Sequence, residues 1–356
     1  MGTSKEIQQP LLGILGTIIV VVMALTICSQ FPPATLLSWV AVFVMCSIPA
    51  QIVLIAVWQG KYPGFMAELG QPAKGIAILA MMGVAAAVVM PGVLLVSGGS
   101  LAAPSPFVSM FTVLTVCVSF WVMPLFQCWP VSAVTGHPVG IGIGCLLVTY
   151  IGAYVVWVFG FDFAAMKGAP FYLATLDPHG AFGAWPALSF IVTCSLVIIG
   201  LVMFDFWPVT MAAEAVPALG RQPFRTLFAA ALVLILSAAI YFGFVNGLHM
   251  DVVDYQVRVP VSGLFGQLIL LHMMQTAPFQ TMAQPFKGIA LTVLVVILAP
   301  LTYWLYSVAA LALVGPMPAG APGYVLDVWI ATAMLSVTFP LFVTYGDAFG
   351  FWPLKR

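Results

Sequence analysis

The chain has 356 residues, 63 % of them apolar and only 6 % charged, with ten basic and ten acidic side chains and a formal net charge of zero. That composition excludes an ordinary soluble domain, and basic residues this thinly spread leave no footprint for nucleic acid. What remains is an all-α, polytopic membrane protein whose first partner is the lipid bilayer.

A hydrocarbon core of about 30 Å takes about 20 residues of helix. Laid along the chain, that length predicts ten spans, near residues 11–28, 35–58, 75–97, 106–128, 139–160, 182–204, 226–246, 260–277, 288–314 and 324–346. The first run ends in TICSQFPPATLL without a small-residue cleavage site, so it reads as a retained helix and not as a signal peptide.

Each odd span opens on a related sequence: QQPLLG at 8–13, GQPAKG at 70–75, GHPVGI at 136–141, RQPFRT at 221–226 and AQPFKG at 283–288. Proline suits a first helical turn, where its missing N–H has no partner to lose, and the Gln or His before it can bond the freed backbone groups. Four even spans close on WQGKYP, FQCWP, FDFWP and FGFWP, while the eighth closes differently, on QTAPFQ. A Trp at the headgroup level followed by a helix-stopping Pro suits a return to the membrane surface. These signatures predict one transmembrane domain over residues 1–356, made of five helical hairpins at about 9–63, 71–130, 137–208, 222–280 and 284–353. Each hairpin has two spans, so all five share one orientation, unlike inverted-repeat transporters. The plan puts Pro10, Pro72, Pro138, Pro223 and Pro285 at one level, near Trp129, Trp207 and Trp352.

With a cytoplasmic amino terminus, Lys5, Lys61, Lys74, Arg221, Arg225, Lys287, Lys355 and Arg356 fall inside, and only Lys167 and Arg258 outside. The positive-inside rule then places both termini in the cytoplasm. The expected location is a cell membrane crossed many times, read as a bacterial inner membrane. Six scattered cysteines with no CxxC pair read as buried free thiols.

Ionisable groups within spans are costly and usually functional. His272 is the clearest, with Gln275 three residues on and Gln267 five residues before it; Gln51, just after Pro49, is a second buried amide. These four are the candidate solute-path residues, and Pro49, Pro91, Pro124, Pro300 and Pro340 are expected to kink the helices around them. On the outer face Asp177, His179, His249, Asp251 and Asp254 form the one concentrated set of candidate metal ligands, which turn and cap chemistry explains better than a metal does. A second intramembrane His is missing, so a bis-His haem has no support, and the run VGIGIGC follows no strand, so it fits helix packing and not nucleotide binding.

The leading functional reading is a permease or channel-like protein for a small neutral or weakly polar solute. A second is a non-catalytic membrane subunit, in a homo-oligomer or among other membrane subunits, and a third is a metal-dependent enzyme of the outer face.

Overall fold

The computed structural model describes residues 7–169, 171–321 and 323–355, so Lys5 and Arg356, which enter the charge count, lie outside the described residues. Among the described residues nine helices are long and apolar enough to cross a bilayer. The first seven are α1 (Leu11–Ser29), α2 (Pro33–Val57), α3 (Ala73–Gly98), α4 (Pro106–Leu125), α5 (Pro138–Gly160), α6 (Ala184–Met203) and α7 (Phe224–Gly247). Next comes α8, residues 252–273, four helical pieces in unbroken succession. Two more apolar helices follow, α9 (Phe286–Leu313) and α10 (Val325–Ala348). The chain has the make-up of a multi-pass helical membrane protein.

α8 is the more polar tenth helix, and it departs from the expected 260–277 by beginning eight residues earlier. Hydropathy counts Asp254 and Arg258 as loop residues. In the fold they pair one helical turn apart at 2.5 Å, and Asp251 caps the helix by accepting the N–H groups of Val253 and Asp254.

The helices form two layers. In α2, α4, α6 and α10 the most apolar stretch is 61–72 % buried, whereas in α1, α3, α5, α7 and α9 it is 22–33 % buried. Every residue from Ser262 to Leu268 of α8 is buried, so α8 belongs with the even helices. The even helices close a ring in chain order: α2 packs on α4, α4 on α6, α6 on α8, α8 on α10, and α10 back on α2. Around it each odd helix lies against the two even ones that precede it around the ring, α1 against α10 and α8, α3 against α2 and α10, α5 against α4 and α2, α7 against α6 and α4, α9 against α8 and α6; α3 and α9 also touch the even helix that follows each in the chain, α4 and α10.

One face of the bundle is knitted by the helix openers. Gln9 donates from Nε2 to Met273 O at 2.9 Å, Gln71 to Ala348 O at 2.6 Å, and Gln284 to Met203 O at 3.1 Å. Trp58 Nε1 donates to Pro138 O at 2.8 Å. The carboxamide oxygens cap their own helices: Gln9 Oε1 accepts Gly13 N–H, Gln284 Oε1 accepts Gly288 N–H, and Gln222, a third opener, accepts the N–H and hydroxyl of Thr226 at its Oε1. At the return ends two consecutive residues take left-handed backbone conformations, at Gln59–Gly60, Gln127–Cys128, Asp205–Phe206, Gln275–Thr276 and Gly350–Phe351. QTAPFQ therefore turns as the other four do, although its sequence looks different.

Small residues on the odd helices admit these ends. A Cβ at Gly75 would sit 2.5 Å from the ring of Phe349, and one at Gly288 would strike Phe204. Gly142, from the VGIGIGC run, has Trp58 in the same place. All six cysteines are free, and five are buried.

On the other face, the long connection between α5 and α6 carries two short parallel strands, β1 (Phe161–Asp162) and β2 (Phe182–Gly183).

Candidate functional site

The ring of even helices is not filled along its whole length. A cavity of about 700 Å³ occupies the half where these helices begin, opposite the openers and return turns. All five contribute: Met45 of α2, Val113 of α4, Val192 of α6, Val261 of α8 and Ser336 of α10 are the deepest lining residues of each. Ala165–Lys167 and Phe171 of the α5–α6 connection line its outer end.

Beyond the cavity the ring shuts. Phe120 of α4 and Phe339 of α10 are buried, with ring centroids 6.3 Å apart. α4 and α10 are not neighbours in the ring, so these side chains meet across its middle. They stop the cavity short of the opposite face.

The wall is mostly aliphatic, with a few polar groups. Gln256 of α8 is 8 % exposed, and its Oε1 accepts a hydrogen bond from Ser189 Oγ of α6 at 2.8 Å. Thr332 and Ser336 stand one turn apart on α10, 8 % and 3 % exposed. Ser105, at the start of α4, has a hydroxyl oxygen without a partner among the described residues. Lys167 is the one charged residue among those lining the cavity, and it sits in the exposed connection.

The candidate solute-path residues lie elsewhere. Gln51 is completely buried and donates from Nε2 to Pro340 O at 2.8 Å and Thr344 Oγ1 at 2.9 Å, tying α2 to α10. Gln267 donates to Leu196 O at 3.0 Å, tying α8 to α6. Each keeps a buried carboxamide oxygen without a partner among the described residues, and neither lines the cavity. His272 Nδ1 lies 2.6 Å from Asp347 Oδ2, a partner on the neighbouring helix that the sequence did not indicate. Gln275 lies beyond the end of α8 in a left-handed conformation, so it shares no helical face with His272, and its carbonyl accepts Gln280 Nε2.

The five outer-face candidates divide. Asp177 and His179 join Asp162, their ligand atoms within 4.8 Å of one another, the one such group of three among the described residues. Asp177 spends its oxygens within the loop: Oδ1 accepts the N–H groups of Phe163 and His179, and Oδ2 accepts the Tyr172 hydroxyl at 2.9 Å. Burial works to raise the Asp177 pKa, but these donors and the nearby His179 outweigh it and hold the carboxyl below its ordinary value. The arrangement is a loop clasp. Asp251 and Asp254 instead serve the start of α8, where Asp251 Oδ2 accepts the Tyr324 hydroxyl at 2.9 Å and Arg258, paired with Asp254, lies over the Tyr303 ring at 4.9 Å. His249 is exposed and belongs to neither group.

Gln256, Thr332 and Ser336 were not among the sequence candidates. The one available signal was that α2, α4, α6, α8 and α10 carry Ser, Thr and Gln in their opening turns, which becomes a pattern only when these helices are seen to share one cavity.

No protein-family model, curated protein or solved structure matches the chain.

Proposed function

We propose that the protein is a permease or channel-like protein for a small neutral or weakly polar solute, built as five hairpins of one orientation with ten spans. One observation carries this reading: each hairpin contributes its second helix to a closed ring, and the five second helices together enclose the cavity. Two further observations support the hairpin plan. Every first helix is offset in the same sense, lying against the second helices of the two hairpins that precede it around the ring, and the five return turns share one backbone conformation.

Orientation follows from charge. Lys61, Lys74, Arg221, Arg225, Lys287 and Lys355 belong to the segments at the opener face, and Lys167 and Arg258 to the other. By the positive-inside rule the opener face is cytoplasmic and the cavity opens outward. α8 spans as the tenth helix because its Asp254 and Arg258 neutralise each other near that outer end.

The test is uptake into proteoliposomes across a broad panel of uncharged solutes. At least one should move faster than in empty vesicles, and a panel in which none does overturns the reading.

A further inference from the structure

Polar side chains line the cavity on several helices, and three buried ones, Gln256 of α8 and Thr332 and Ser336 of α10, sit on two helices that pack together. Ser189, itself fully buried, holds Gln256 by its carboxamide oxygen, which fixes the side chain with its Nε2 end left over. That Nε2 makes no hydrogen bond among the described residues, although Gln256 is more than nine-tenths buried and lines the cavity. The hydroxyls of Thr332 and Ser336, equally buried and lining the same space, also make none among the described residues. Four residues apart, they stand on one face of α10. Buried polar groups are ordinarily paired, and unpaired ones in an apolar wall favour any molecule that pairs with them.

We propose that the cavity binds an uncharged molecule with a hydrocarbon body and a single hydroxyl or carbonyl group, that group being held by Gln256 together with Thr332 and Ser336. The inference rests on the solute-handling reading above and narrows it to a substrate class. The volume of about 700 Å³ lies within the range of about 300–1,000 Å³ found for small-molecule sites. Met45, Val113 and Val192 offer the body an aliphatic wall. Among the described residues no carboxylate lines the cavity, so a cation finds no counter-charge there, and an anion finds only Lys167, at the outer end. Burying either ion there would leave it unpaired, which a neutral molecule avoids.

Three matched fluorescent probes test this on the purified full chain in lipid nanodiscs, with empty discs subtracted: 1-pyrenemethanol, pyrene and pyrene-1-sulfonate. The alcohol should bind saturably with one site per chain, pyrene more weakly, and the sulfonate not at all. Gln256→Leu should weaken the alcohol about tenfold and Ser336→Ala about threefold, while Leu234→Ala, on the exposed face of α7, leaves binding unchanged. Ser336→Ala removes one oxygen from a helix face, so it serves if Gln256→Leu fails to fold. The proposal is overturned if the sulfonate binds as well as the alcohol, if both cavity variants bind the alcohol like the unaltered chain, or if no probe saturates. Saturable, variant-sensitive binding without any vesicle uptake would remove the permease reading and leave the site. Uptake that both cavity variants leave unchanged, together with unchanged alcohol binding, would remove the site and leave the permease.

Discussion

His272 Nδ1 and Asp347 Oδ2 meet at 2.6 Å, joining the last turns of α8 and α10. The two residues hold matching places, each three residues before the first left-handed residue of its return turn, Gln275 and Gly350. At that place the other even helices carry Ala56, Pro124 and Val202, so the polar bridge spans one of the five junctions of the ring. Both side chains keep more than a quarter of their surface exposed, which limits the energy of the bridge. His272→Ala and Asp347→Ala should each cost about 0.5–1 kcal/mol, and the double variant about the same as either alone. A double-mutant cycle on unfolding in detergent checks this; fully additive losses would show that the contact does not couple the two helices.

Phe120 and Phe339 close the ring beyond the cavity by meeting across it. If the path runs through the ring, these two rings are its barrier, and their removal leaves a space of at least one side chain in the middle of the bundle. Phe120→Ala with Phe339→Ala should raise the rate of osmotic swelling of proteoliposomes in glycerol several-fold over the unaltered chain. A core cavity costs about 3–5 kcal/mol for each truncated Phe, so the single variants should be measured beside the double one. Swelling that stays at the rate of the unaltered chain in correctly folded double variant would place the barrier elsewhere.

Much of this architecture is written in the chain, but unevenly. Hydropathy located the helices within a few residues, and failed at the start of α8 because it treats each charge separately, whereas Asp254 and Arg258 cancel within one turn. The Gln-Pro openers were visible because a proline must be spelled out. The return turns were less so: the left-handed backbone is taken up by Gln, Cys, Asp, Phe and Thr as well as Gly, which no residue type signals. The two layers were invisible as well. Helices apolar all round show no preferred face, and only packing reveals which of them surround Gln256 and Ser336.

α3 contains its own control for the packing of odd on even helices. Gly75 has the Phe349 ring 2.5 Å from where a Cβ would stand, whereas Gly83, two turns further along the same helix, has nothing within 4 Å. Gly75→Ala should destabilise the protein by about 1–3 kcal/mol through overpacking. Gly83→Ala should be neutral or stabilising by up to about 1 kcal/mol, because only its helix propensity changes. Denaturant midpoints of the two variants decide the matter: equal effects would mean that Phe349 yields freely and that the close approach at Gly75 carries no specificity.

The loop clasp around Asp177 should be sensitive to acid. Its carboxyl is held below the ordinary value by the donors of Phe163, His179 and Tyr172, so the folded loop binds its proton less readily than the unfolded chain does. A lowered pKa of this kind contributes stability that is complete above the unfolded value, about 4 for an aspartate, and is lost as the pH falls through the lower folded value. Hydrogen exchange at the Phe163 and His179 amides, corrected for intrinsic rates, should therefore stay constant from neutral pH down to about 4.5 and accelerate below it. Asp162 and His179 lie beside the clasp, their ligand atoms within 4.8 Å of that of Asp177, and Asp177→Asn isolates the contribution of the Asp177 carboxylate. The Asn variant should exchange faster at neutral pH and lose the acid step; an acid step of undiminished size in that variant would show that Asp177 is not its source.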